Sequence, residues 1–111
     1  MSFVIIEKPW GVTRCIHSSR HAEVWHASIR QGGASSVHRH KANANEFYVL
    51  SGILEVDGRT LTSGDTLCIV PGKWHQFRAI TNVELIETYY LIEGGDVIHG
   101  DIERQEVAIG C

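Results

Sequence analysis

His38 and His40 stand two positions apart in the segment Val37-His38-Arg39-His40. On an extended chain, side chains two apart share a face, so both imidazoles would project together. Two neighbouring nitrogen donors are half of a transition-metal site. His75 follows the turn signal Pro71-Gly72 on a separate segment. If it converges on the same interior, the three imidazoles make a facial set of nitrogens. Such a set suits Zn, Fe, Ni, Cu or Mn and leaves positions open to water or substrate. An HxH pair alone is more often the decoration of a solvated strand, so the elements that carry it decide its meaning.

Those elements read as strands. Turn signals recur at short intervals, at Pro9, Gly11, Gly32-Gly33, Ser51-Gly52, Asp57-Gly58, Ser63-Gly64-Asp65, Pro71-Gly72 and Gly94-Gly95, a rhythm that belongs to an all-β domain. Ile53-Leu54-Glu55-Val56 and Arg59-Thr60-Leu61-Thr62 flank Asp57-Gly58, a pair suited to the positive φ angles of a two-residue hairpin turn. Residues 22–30 alternate, with Ala22, Val24, His26 and Ser28 on one face and Glu23, Trp25, Ala27 and Ile29 on the other. Further strands are expected near 12–17, 36–40, 45–51, 65–70, 74–80 and 83–92. A short helix after Gly100 is the one helical element the pattern admits. About eight strands in a small domain hide their edges by closing into a barrel or a two-sheet jelly roll.

Composition sets the outer bounds. At 111 residues the chain is expected to form a single domain, 1–111. Apolar residues make up 43% and charged residues 21%, the balance of a globular protein. A net charge of −3 with scattered Lys and Arg offers no basic field for nucleic acid. No apolar run approaches the roughly 20 residues of a membrane helix. The start, Met1-Ser2-Phe3-Val4-Ile5-Ile6-Glu7, lacks the basic and apolar blocks of a secretory leader, so a cytoplasmic location is the expectation. Cys15, Cys68 and Cys111 share no ligand spacing and are expected to be buried structural thiols.

Gly32, five residues, His38-x-His40, four residues, Asn45, six residues and Gly52 follow the order of the first cupin motif, which has a ligand Glu where Asn45 stands. Gly64, five residues, Val70, one residue, Gly72, two residues and His75 resemble the second motif. There Val70 replaces the usual Pro, and Ala79 stands where an Asn is expected. The chain thus resembles the cupins, with motif 1 at about 32–52 and motif 2 at about 64–79. The resemblance implies a jelly-roll β-barrel holding one divalent metal ion through His38, His40 and His75. Asn45 enters as a fourth ligand, as a neighbour of the ligands, or as a group that only hydrogen-bonds a turn. Glu46 would reach the site only if a β-bulge re-aimed it, because a one-residue shift sends a strand side chain to the opposite face.

Glu7-Lys8-Pro9-Trp10-Gly11, Val49-Leu50-Ser51-Gly52, Leu85-Ile86-Glu87, Gly95-Asp96 and Asp101-Ile102-Glu103-Arg104 are similar to stretches of the cupin domain of type II mannose-6-phosphate isomerases. That likeness implies a metal that organises an open-chain sugar phosphate and stabilises an enediolate. It calls for a base, for which Glu87 and Glu46 are candidates, and for phosphate anchors among Lys8, Arg30, Lys73 and Arg104. A three-histidine site in a small cupin also resembles the thiol dioxygenases, and a non-catalytic metal- or sugar-binding module is the third reading.

His17, His21 and His99 are expected at the surface, and His26 there or at the pocket mouth. Trp10, Trp25 and Trp74 are expected in packing, with Trp74 facing away from the metal because it precedes His75. A homodimer is expected, its first strand contributing to the contact.

Overall fold

The computed structural model describes residues 4–105. Eleven strands run in chain order: β1 (Ile5–Lys8), β2 (Gly11–Ser18), β3 (Ala22–Ile29), β4 (His38–Arg39), β5 (Ala44–Ser51), β6 (Leu54–Val56), β7 (Arg59–Leu61), β8 (Thr66–Ile69), β9 (Phe77–Ala79), β10 (Val83–Tyr90) and β11 (Glu103–Arg104). There is no helix among the described residues. The segment after Gly100 is a strand rather than the expected short helix, because its backbone pairs Glu103 with Arg39 and Arg104 with His38.

The strands form a jelly roll. One wall is a six-stranded sheet in the order β1-β2-β3-β10-β5-β8. The other joins the β7-β6-β9 sheet to the β11-β4 pair through isolated bridges at Ala34 with Arg78 and His38 with His75. Between the walls lie Ala27, Ile29, Phe47, Val49, Leu54, Val56, Leu61, Ile69, Phe77, Ala79, Val83 and Leu85. Most recur at period two, as half-buried strands require.

Turn chemistry holds the corners. Asp57 and Gly58 have φ of 48° and 81°, so β6 and β7 are joined by the tight hairpin their sequence predicts. Gly52, which closes motif 1, has φ of 90°, and a Cβ there would lie 2.1 Å from the Asn82 carbonyl oxygen. Gly52→Ala is therefore expected to destabilise the barrel by about 2 kcal/mol or more, read as a lower denaturant midpoint.

Cys68 departs from expectation. Leu67 and Ile69 take the inner positions of β8 and leave Cys68 exposed on the outer face, with Sγ 3.7 Å from the Tyr90 hydroxyl. Cys15 is half-buried, and Cys111 lies outside the described residues.

Candidate metal centre

His38 on β4 and His40 directly after it are both buried, while Arg39 between them is partly exposed. His75 is carried to them by backbone pairing: His38 N–H donates to His75 O at 3.0 Å, and His75 N–H donates to His38 O at 2.8 Å. One ligand-capable atom from each of His38, His40 and His75 lies within 4.8 Å of the others.

Each ring is oriented by a backbone carbonyl. Nδ1 of His38 lies 2.8 Å from Ser36 O, that of His40 2.6 Å from Asp101 O, and that of His75 3.0 Å from Lys73 O. A carbonyl oxygen only accepts, so Nδ1 carries the hydrogen in all three and Nε2 keeps its lone pair. Burial disfavours the imidazolium at each, helped at His38 by the neighbouring His75 and His40, and brings His38 down to about 4. Nε2 of His40 and of His75 is buried without a hydrogen-bond partner. Neutral, oriented and unsatisfied nitrogens in a facing set are what a divalent metal requires, and a metal bond relieves the cost of the orphaned acceptors.

Asn45 is wholly buried on the inner face of β5, and neither its Oδ1 nor its Nδ2 has a partner. Its inner-face neighbour Phe47 lies against the His75 ring at 6.1 Å between centroids. Its cross-strand partner Tyr89 lies against the His40 ring at 4.9 Å. The amide thus occupies the layer of the barrel that holds the histidines. Glu46 does not. Its register with Thr88 follows Asn45 with Tyr89 without a break, so no bulge re-aims it. It lies on the outer face, where its carboxylate accepts a hydrogen bond from the Tyr90 hydroxyl at 3.1 Å.

A cavity of about 440 Å³ opens beside the cluster, lined among others by Lys8, Trp10, Trp25, His38, His40, Glu87, Tyr89 and Arg104. Glu87 projects inward from β10, and the Tyr89 hydroxyl donates to its carboxylate at 3.2 Å. Burial pushes the Glu87 carboxyl up to about 7, against the opposing pull of Tyr89 and Lys8. Burial and the facing Glu87 carboxylate raise the Tyr89 phenol well above its ordinary value. Tyr89 was not singled out from the sequence, although the period of two that points Glu87 inward carries it inward as well.

Of the four cationic candidates, Lys8 and Arg104 line this cavity. The Arg30 guanidinium donates to Pro9 O and Lys73 is exposed in its turn, so neither reaches it. His26 is not at the mouth but on the outer face of β3, its Nε2 3.2 Å from Glu84. His17, His21 and His99 are exposed. Trp10 and Trp25 do more than pack, since both line the cavity, whereas Trp74 lies outside under the Arg39 guanidinium, 4.7 Å from its ring.

A strap across residues 91–102 closes one side. The Asp101 carboxylate accepts the backbone N–H groups of Lys41, Ala42 and Asn43 at 3.0, 2.8 and 2.9 Å. Partial burial works against its charge, but these three donors hold its carboxyl below the usual carboxylate range. The Asn43 amide donates to Ile98 O at 2.7 Å and accepts from Ile98 N–H at 3.2 Å. Asp101 thus fixes both the turn after His40 and the carbonyl that orients its ring, a role no local sequence signal announces across 60 residues. Asp101→Ala is expected to weaken metal binding by about 10- to 100-fold while the protein stays folded, as calorimetric titration would register.

The cupin domain family matches residues 25–89. The chain belongs to the cupins. Its fold is similar to those of KdgF from Halomonas sp. (TM-score 0.71, 17% identity, 82% of this chain and 88% of that one) and an RmlC-like cupin from Shewanella frigidimarina (0.68, 24%, 80% and 84%). It is also similar to oxalate decarboxylase from Bacillus subtilis (0.75, 19%), matching 92% of this cupin but only 30% of that chain. At these identities the likeness is one of fold. A comparison with curated proteins finds no match. Among the described residues of this cupin, no helix is long and apolar enough to cross a membrane.

Proposed function

We propose that this cupin holds one divalent transition metal ion through His38, His40 and His75, with Asn45 beside it, and moves a proton on a small oxygen-rich substrate. The observation that carries the reading is the placement of Glu87. A buried carboxyl, poised near neutrality and braced by Tyr89, faces the same cavity as His38 and His40. Such a group takes and returns a proton near pH 7. When bound, the metal would supply Lewis-acid stabilisation of the oxygen that gains negative charge. Glu87 would accept the proton from the carbon next to a carbonyl, the C–H electron pair passing into the enolate. Its return to the former carbonyl carbon, with the hydroxyl proton of the deprotonated carbon passing to the former carbonyl oxygen, would complete an isomerisation. The Tyr89 hydroxyl orients the carboxylate, and the apolar walls keep bulk water from the reacting carbon.

The sugar-phosphate isomerase reading fits this arrangement, with Lys8 and Arg104 available to the phosphate. Oxygen chemistry on a small thiol also fits three nitrogens but leaves Glu87 without a task. The test is deuterium uptake at carbon. The metal-loaded protein in D2O, offered mannose 6-phosphate, fructose 6-phosphate and small 2-oxo acids, is expected to wash out a proton next to the carbonyl of one of them. Absence of exchange in all, with metal bound, would overturn the proton-transfer reading.

The same proposal takes the protein as a homodimer. In support, β1 is an edge strand, and Val4, Ile5, Val12 and Ile16 of the β1–β2 hairpin are exposed. Light scattering at micromolar concentration is expected to give twice the chain mass.

A further inference from the structure

The donor set at the centre carries no charge. Three imidazoles, which coordinate metals as neutral rings, form the cluster, and one buried amide, Asn45, lies in the same layer of the barrel, so a divalent ion there would keep its full positive charge. The acids around the cavity are turned to other hydrogen-bond donors. Glu23 takes the Trp25 indole N–H and His99, Asp101 takes three backbone N–H groups, and Glu87 takes the Tyr89 hydroxyl. The cations are not committed: Lys8 and Arg104 line the cavity, and neither makes an ion pair among the described residues. The two carboxylates Glu23 and Asp101 balance these two cations in charge, so the charge left over is that of an ion held by neutral donors alone, and an anionic ligand relieves it.

We infer that the site takes a small 2-oxo carboxylate, whose charged oxygen and adjacent carbonyl oxygen chelate the metal and supply the negative charge that Asn45 withholds. The inference rests on the metal-centre reading above and names its substrate class. Chelation through those two oxygens closes a five-membered ring, whereas two oxygens of one phosphate close only a strained four-membered one. It also ties down the carbonyl whose neighbouring C–H proton Glu87 would take. Lys8 and Arg104 then meet the remaining oxygens of the ligand. A carboxylate at position 45 would neutralise one charge and compete for this role.

The experiment measures metal and anion binding by calorimetry on the full chain, without reference to turnover. Oxalate serves as the rigid five-membered chelator, with inorganic phosphate and mannose 6-phosphate as the other arms. The Ni- or Co-loaded protein is expected to bind oxalate about tenfold or more tighter than either phosphate compound, with a shift in the metal's visible absorption, and the metal-free protein about tenfold or more weaker. Asn45→Asp, which keeps the side-chain shape, is expected to bind the metal about tenfold tighter and oxalate about tenfold weaker. Asn45→Glu is the second variant should the first not fold. Equal oxalate affinity with and without metal would overturn the inference, as would unchanged oxalate affinity in a position-45 carboxylate variant or a preference for mannose 6-phosphate. Metal binding and Glu87-dependent deuterium exchange without oxalate binding would remove this inference alone, while absence of metal binding would remove the underlying reading too.

Discussion

His75→Phe is expected to fold and to lose stoichiometric metal. His75 is 1% exposed and sits among the rings of His38 and Phe47, at 4.3 and 6.1 Å between centroids. Alanine there would open a cavity and confound metal loss with unfolding. Phenylalanine keeps a ring in the slot but offers no donor. Removing one of three nitrogens should cost more than the about 10- to 100-fold seen when only the support of a ligand is lost. The linked effect on stability is large. Metal at about 1,000 times its dissociation constant adds about 4 kcal/mol, worth on the order of 15 °C or more in the melting midpoint of a chain this size. The wild-type protein should show that shift with its metal and lose it to a chelator, while His75→Phe should melt at one temperature in both conditions. A variant that binds metal as the wild type does would remove His75 from the site.

Glu87→Gln is expected to lower the deuterium exchange rate by about 10²- to 10⁴-fold, the usual contribution of a positioned base, with metal affinity nearly unchanged. It also carries a pH signature in the chelator-treated protein. The folded carboxyl titrates at about 7 against an unfolded value of 4.5. The folded state therefore binds more protons between these values. The contribution of Glu87 to stability is fully present below pH 4.5 and is lost as pH rises through 7. The whole swing is about 3 kcal/mol at most. The three histidines run the other way, since their lowered values make stability fall as pH drops below 6.5. Subtracting the Glu87→Gln profile from the wild-type profile, by denaturant titration from pH 4 to 8, isolates the carboxyl. A variant no more stable than wild type at pH 8 would show that the carboxyl is not held in its neutral form.

The two predictions rest on a member of the histidine cluster and a residue of the adjoining cavity, which are positioned by different routes, and their legibility differed accordingly. His38 and His40 lie two apart, so strand periodicity alone puts them on one face. Glu87 shares that logic with Val83 and Leu85, because all three occupy the inner positions of β10. The hairpin at Asp57-Gly58 was legible for the same local reason, since positive φ is written into the residue types. Glu46 was undecidable from sequence, because only an unbroken register with Thr88 shows that no bulge turns it inward. Cys68 was misjudged because an apolar neighbourhood in sequence does not say which face of β8 is covered.

Sequence by itself determined that the chain is an all-β barrel with two ordered histidine motifs, because turn residues and period-two alternation are properties of neighbours along the chain. It also showed that Asn45 stands where a carboxylate is usual, while leaving open whether Glu46 reaches the site in its place. Tertiary structure alone decided the rest. It brought His75 against His38 by a backbone bridge and placed Asp101 under the turn after His40. It also chose Lys8 and Arg104 over Arg30 and Lys73 as the cations of the cavity. These are meetings between segments tens of residues apart, set by how two sheets close on each other, and no pattern of neighbours encodes them.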